Sequence, residues 1–185
     1  SGNKSVSPIT VTVLDTVKHL LRALSKPIYL NSTGQQTIPA DFFDDGSTDN
    51  CKIQTRTLSQ YNFDCSDVGN KLILYTVADT SGNSTLTVIS TQVLDTIAPK
   101  LYTQNQTVYL DSLGEASISV SLFSDSCSDN CRITSLNYSD SMFNCSNLGM
   151  NVVQLMATDP SGNANGKPFL VEVFDTVAPI IKPKS

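Results

Sequence analysis

Apolar and polar residues alternate most regularly over Lys71–Ala78 and Asn151–Thr158, and a two-residue period of this length predicts β-strands with one buried face. Each run ends in Asp-x-Ser-Gly-Asn, at Asp79–Asn83 and Asp159–Asn163, residue types that favour turns. A last strand then runs to Val93 and to Val173. Upstream, Pro27–Asn31 and Thr107–Asp111 lead into Ser-x-Gly turns at Ser32–Gly34 and Ser112–Gly114. Alternating Gln36–Ile38 and Ala116–Val120 follow, which predicts strand, turn, strand. A long polar loop comes next, then a short strand around Ile53 and Ile133. Val17–Ser25 contains helix formers, whereas its counterpart Ile97–Asn105 reads as extended. Short strands divided by regular turn signals predict an all-β chain of immunoglobulin-like β-sandwiches.

The same elements recur at a fixed offset. Asp15-Thr16-Val17, Asp95-Thr96-Ile97 and Asp175-Thr176-Val177 are spaced by 95 − 15 = 80 and 175 − 95 = 80 residues. Residues 15–94 and 95–174 align without a gap and share 24 identities over 80 positions, concentrated at turns and cysteines. Two tandem sandwich modules of 80 residues are therefore expected. In this frame residues 1–14 are the final strand of a preceding, truncated repeat, because Ser1-Gly2-Asn3 matches Ser81-Gly82-Asn83. That strand is expected to lie extended, packed on the first module or paired with another molecule's open edge. Residues 175–185 are expected to link into a following repeat.

Composition narrows the function classes. A formal net charge of −5 and a pI near 4.6 disfavour nucleic acid, which needs clustered Lys and Arg, and suit metal cations better. No run of 18 apolar residues predicts a membrane span, and Ser1-Gly2-Asn3 is no signal peptide. Enzymatic chemistry is not expected. The single histidine, His19, has no partner for a metal pair or a Cys-His dyad and reads as an exposed linker residue. Asp45 and Asp79 sit in turns without the apolar pocket that would raise one carboxyl pKa.

The ordered set Asp-Asn-Cys (Asp49–Cys51, Asp129–Cys131), Phe-x-Cys-x-x-x-Gly (Phe63–Gly69, Phe143–Gly149), Asp-x-Ser-Gly-Asn and Asp-Thr-Ile-Ala-Pro (Asp95–Pro99) resembles the hyalin-repeat-like modules of bacterial surface proteins, including gliding-motility adhesins. The resemblance covers residues 1–180. It implies an immunoglobulin-like fold, extracellular display at the cell surface, and a stalk or spacer role among neighbouring repeats of the same chain. The chain departs from the pattern at Lys18-His19, where the other copies have Ala98-Pro99 and Ala178-Pro179. The alternative is a module that itself binds surface glycans, other cells or a protein. Tyr61, Tyr102 and Tyr138 would be its exposed aromatics, with Tyr29 and Tyr109 in the core.

In such a sandwich the long loop, the last hairpin and the incoming linker share one end. This would gather Asp15, Asp45, Asp49, Asn50, Asp79 and Asn83 in the first copy, and Asp95, Asp125, Asp129, Asn130, Asp159 and Asn163 in the second. Calcium takes six to eight oxygen ligands of these kinds, and calcium at the module junctions is the expectation. Turn chemistry alone accounts for the same residue types, and recurrence between copies favours neither reading. Equal spacing in both copies predicts disulfides Cys51–Cys65 and Cys131–Cys145, although a simple seven-strand path would place those partners at opposite ends. Cys127, whose match is Ser47, is left free, bridging two chains, or competing for Cys131 or Cys145.

Overall fold

The computed structural model describes residues 1–181, so the expected continuation at Lys182–Ser185 lies outside the described residues. The chain is all-β and forms two tandem immunoglobulin-like β-sandwiches. In the first copy the strands are β1 (Ile28–Tyr29), β2 (Gln35–Thr37), β3 (Ile53–Leu58), β4 (Asn62–Asp64), β5 (Gly69–Asp79) and β6 (Ser84–Leu94). Their equivalents in the second are β7 (Gln106–Tyr109), β8 (Glu115–Ser117), β9 (Ser135–Tyr138), β10 (Met142–Asn144), β11 (Gly149–Thr158) and β12 (Ala164–Phe174). Each copy has a four-stranded sheet, β1-β6-β5-β3 or β7-β12-β11-β9, and a two-stranded one, β2-β4 or β8-β10. The path is thus six strands rather than seven. In the second copy β12 runs antiparallel to β11 and parallel to β7. By compactness, one unit comprises Ser1–Ile28, Thr37–Phe63 and Gly69–Val93. The other takes Tyr29–Gln36, Asp64–Val68 and the chain from Leu94 onward.

Alternation builds each core. Ile73, Tyr75 and Val77 of β5 point inward against Ile89 and Val93 of β6, while Leu72 and Leu74 face out. In the second copy Val153, Leu155 and Ala157 of β11 pack with Phe169, Val171 and Val173 of β12, and Phe123 and Phe143 close that core. Phe123 sits in a four-residue helix, α1 (Ser121–Ser124), within the expected long polar loop.

One part of the core differs in kind between copies. The buried Tyr75 hydroxyl donates to Asp44 at 2.9 Å, Ser47 also donates to Asp44, and Arg56 pairs with Asp44 at 3.3 Å. Eighty residues on, the same four positions hold Leu155, Ser124, Cys127 and Leu136. Leu155, Cys127 and Leu136 replace Tyr75, Ser47 and Arg56 with apolar side chains and Ser124 faces solvent, so no partly satisfied buried network remains. This accounts for Cys127: half-buried against the second core, it packs as a small apolar residue and remains a free thiol.

Three expectations are corrected, and Ser1–Leu14, exposed throughout, forms no strand among the described residues. Val17–Ser25 is extended rather than helical, tied by Leu20↔Thr48 and Ala23↔Asp44 bridges. His19 is 5% exposed, not a solvated linker residue. Tyr29 and Tyr109 are not core: strand alternation turns Ile28 inward and Tyr29 out, and Tyr109 stacks on Phe174 at the surface.

The Asp44 network makes a pH-dependent contribution. Burial pushes the Asp44 carboxyl up, but hydrogen bonds from Ser47 and Tyr75 and the charge of Arg56 outweigh it and hold it below the usual carboxylate range. Burial, with Asp44 beside it, pushes the Tyr75 phenol up to about 12. A lowered carboxyl stabilises above its unfolded pKa, and that contribution is lost as pH falls through the folded value. A raised phenol stabilises below its unfolded pKa, and that contribution is lost as pH rises through about 12. Tyr75→Phe is expected to cost about 1.5–3 kcal/mol at pH 7 and to flatten the acid limb, as read by urea unfolding between pH 2 and 7.

Candidate cation sites and the cysteine bridge

Each compact unit carries one cluster of inward-facing acidic groups, and each cluster is assembled by local turns. In the second unit, Asp129 Oδ2 accepts the backbone N–H groups of Cys131 (2.8 Å) and Arg132 (3.0 Å). Asp159 Oδ1 accepts Asn163 N–H (2.9 Å), and its Oδ2 accepts the Asn163 side-chain amide (2.7 Å). Asp95 Oδ1 accepts Ile97 N–H (3.2 Å) and the Asn130 side-chain amide (2.9 Å). These bonds fix Asp95 and Asp129 by one oxygen each and Asp159 by both. Asp95 Oδ2, Asp129 Oδ1 and Asn130 Oδ1 are buried with no hydrogen-bond partner. Asp95, Asp129 and Asp159 bring ligand atoms within 4.8 Å of one another.

The first unit repeats the plan. Asp49 Oδ2 accepts Cys51 N–H (2.9 Å) and Lys52 N–H (3.0 Å), and Asp79 accepts from Ser81, Asn83 and the Asn83 amide. Asp15 Oδ1 accepts Val17 N–H (3.0 Å) and the Asn50 amide (3.3 Å). Asp15 Oδ2 and Asp49 Oδ1 are buried and unpartnered. The group meeting within 4.8 Å is His19, Asp49 and Asp79, and neither His19 ring nitrogen has a partner. His19 stands where the second copy has Pro99, and lack of a second histidine hid its proximity to the acids.

The carboxylates of each cluster lie close enough to repel one another. All the groups donating to Asp95, Asp129 and Asp159 are neutral backbone or amide N–H groups. Three such carboxylates at this separation repel strongly unless a cation or a proton intervenes. In the first unit, the backbone N–H of Val17 together with Cys51 and Asn50 holds the Asp15 carboxyl below its ordinary value. Burial raises Asp79, but bonds from Asn83, Ser81 and Gly82 outweigh it and keep the carboxyl low. Asp15 Oδ2 and Asp49 Oδ1 stay free of hydrogen bonds. Oxygen-rich and acidic, the group has the donor chemistry that a hard divalent cation takes.

Several residues of the expected ligand set take other parts. Asp45 and Asp125 are exposed and lie outside both clusters. Asp45 is on the far side of the Gly46 turn, and Asp125 accepts from Ser124 at the end of α1. Asn83 and Asn163 present their NH₂ groups, bracing Asp79 and Asp159 and reaching the Asp15 and Asp95 carbonyls at 3.1 Å, so they position ligands. Asn50 and Asn130 likewise donate to Asp15 and Asp95, but Asn130 keeps a bare oxygen. Of the candidate sugar-stacking tyrosines, Tyr138 is half-buried against Phe123 and Phe169 and donates to the Ser119 carbonyl. The Tyr61 hydroxyl accepts Leu58 N–H, and Tyr102 is the exposed one, beneath Lys167.

The cysteine pairing is a correction. The bond formed is Cys65–Cys131, while Cys51, Cys127 and Cys145 are free thiols, so neither Cys51–Cys65 nor Cys131–Cys145 exists. Cys51 and Cys131 sit on the acidic loop, whereas Cys65 and Cys145 begin single 3₁₀ turns capped by Asp64 and Asn144. The bond lies inside the second compact unit, where the Cys65 segment meets the Asp129–Cys131 loop with 5.3 Å between Cα atoms. Asn130 also donates to the Asn31 carbonyl at 3.3 Å, and an added Cβ at Gly34 would collide with the Asn130 carbonyl oxygen. Arg132, next to the bonded Cys131, has a left-handed φ of 148°, a strained backbone for a non-glycine residue.

No protein-family model matches the sequence, and no curated protein matches it. Similar solved structures include the EC1-2 fragment of human protocadherin-24, at 12% identity over 88% of this chain and 100% of that one, with a TM-score of 0.40. The fibronectin(III)-like modules of Clostridium thermocellum CbhA match at 10% identity over 90% and 100%, with a TM-score of 0.32. Extracellular cadherin domains 1-4 of protocadherin gamma B7 match at 13% over 85% of this chain, which spans 51% of that one, with a TM-score of 0.33. Values this low carry no argument about function.

The bond closes a separation of 66 residues, a loop for which chain entropy favours the cross-linked state by about 4 kcal/mol. Replacing both Cys65 and Cys131 by Ser is expected to lower the unfolding free energy by that amount in urea titrations. Cys51→Ser, at an exposed free thiol, is expected to stay within about 0.5 kcal/mol of the parent.

Proposed function

We propose that this chain is a repeat segment of an extracellular, cell-surface adhesin, acting as a stalk or spacer whose modules are stiffened by calcium. The observation that carries the reading is the pair of clusters with buried, unpartnered oxygens, at equivalent places in both copies. In the second unit the ligands are Asp95, Asp129, Asn130 and Asp159, with Asn163 bracing Asp159. In the first they are Asp15, Asp49 and Asp79, with His19 alongside. A cation there would tie the linker aspartate to the long loop and to the last hairpin turn, three segments otherwise joined by a few hydrogen bonds. A disulfide suits an oxidising compartment. The motif order resembles that of bacterial hyalin-like repeats, and that resemblance supports the surface role.

A ligand that binds the folded state alone stabilises it by about 2.7 kcal/mol at a hundred times its dissociation constant. The melting temperature is therefore expected to rise by several degrees on replacing chelator with millimolar calcium, and Asp129→Asn should remove the part owed to the second unit. Identical melting curves in calcium and chelator would refute the reading.

A further inference from the structure

The two clusters differ in one donor. In the second unit Lys100 and Ser128 form an antiparallel bridge, Lys100 N–H donating to the Ser128 carbonyl at 2.7 Å and Ser128 N–H to the Lys100 carbonyl at 3.0 Å. Leu20 and Thr48 form the same bridge in the first unit, at 2.8 and 3.0 Å. The bridged residues are exposed, and their chain neighbours turn to the opposite face. Pro99 and Asp129 therefore point inward together in the second unit, and His19 and Asp49 in the first.

A proline side chain brings no donor, and the second cluster is made of oxygen alone, with Asn130 Oδ1, Asp95 Oδ2 and Asp129 Oδ1 buried and free. In the first unit Asn50 is exposed, and the further donor turned towards the acids is the His19 imidazole. His19 is 5% exposed, and neither ring nitrogen has a hydrogen-bond partner. One of those nitrogens lies within 4.8 Å of carboxylate oxygens of both Asp49 and Asp79. A histidine kept only as an ion-pair partner for the acids would donate to one of them, and this one donates to neither. Burying a polar group without a partner is costly. A bound cation removes that cost, because it accepts the imidazole lone pair and the carboxylate oxygens at once.

The nitrogen decides which cation. Calcium takes oxygen ligands, whereas imidazole suits zinc and its transition-metal neighbours, and zinc accepts His nitrogen and Asp oxygen at about 2.0–2.2 Å. We propose that the first cluster is a zinc site, with His19, Asp49 and Asp79 as ligands and Asp15 Oδ2 or water completing the shell. The second cluster, which has no nitrogen ligand, keeps calcium. The inference rests on the reading of both clusters as cation sites and divides them by metal. Where zinc is absent, the carboxylates of the first cluster hold calcium. Zinc displaces it by adding the nitrogen ligand, so the two copies respond to different ions.

The single histidine makes the test specific, since every imidazole signal of the chain belongs to His19. The full chain, labelled with heavy nitrogen and held in excess calcium at neutral pH, is titrated with zinc and read by long-range proton–nitrogen NMR. One equivalent of zinc is expected to fix the ring as a single tautomer and to shift one of its two nitrogens. Equilibrium dialysis of zinc against excess calcium then compares the parent with His19→Gln, which keeps a polar side chain in place, and with His19→Pro, which copies the second unit. Each variant is expected to lose at least about tenfold in zinc-over-calcium selectivity, the size of loss that follows even from removing the outer partners of a metal ligand. Zinc held by the exposed thiols Cys51 and Cys145 is common to parent and variants. Zinc uptake that leaves the imidazole signals unmoved, or variants that keep the selectivity of the parent, would overturn the proposal. Neither result bears on calcium binding itself, which the melting curves in calcium and chelator read separately.

Discussion

Carboxylates whose ligand atoms lie within 4.8 Å of one another repel one another, and the loops of each repeat are arranged to hold them in place. The long loop contributes one Asp and the last hairpin another, from turns whose N–H groups hold one oxygen of each carboxylate. The linker Asp completes the group through an Asn that sits beside the loop Asp. The strands serve this end of the sandwich by fixing where the turns emerge. Buried alternation in β5 and β11 carries directly into Asp79 and Asp159, 1% and 3% exposed at the close of the hairpin's first strand.

What the sequence alone shows is whatever depends on local period and on the 80-residue offset. The strands β5, β6, β11 and β12 and their turns follow from alternation and from Ser-Gly-Asn, and Asp49, Asp79, Asp129 and Asp159 were foreseen as meeting. The misses have a common origin in directions that spacing does not encode. Asp45 and Asp49 are both acidic loop residues, but Gly46 lies between them and only Asp49 turns inward. His19 looked solitary because its partners are 30 and 60 residues away, and Tyr29 looked like core because it recurs, although alternation beside Ile28 points it outward. The Asp44, Ser47, Arg56 and Tyr75 network left a trace in the sequence, in that all four positions change character together in the second copy.

The cysteines show the same limit more sharply. Equal spacing within each copy suggested a bond within each copy, yet a 14-residue interval repeated every 80 residues also generates a 66-residue interval from one copy to the next. Linear spacing treats these as equivalent. Three-dimensional placement does not, because Cys65 opens a 3₁₀ turn beside Gly34 and that turn meets the Asp129–Cys131 loop. The acidic loop thus has two tasks in one short segment: Asp129 and Asn130 aim oxygens at the cluster, and the next residue forms the covalent bond.

The central claim is that both clusters are cation sites, and the most direct measurement is the calcium stoichiometry of the purified chain by equilibrium dialysis. The account predicts one ion for each cluster of carboxylates, falling by one when Asp95 and Asp129 are both replaced by Asn. A chain that retains no calcium above the dialysis buffer, or one whose bound calcium is unchanged by those substitutions, would contradict it.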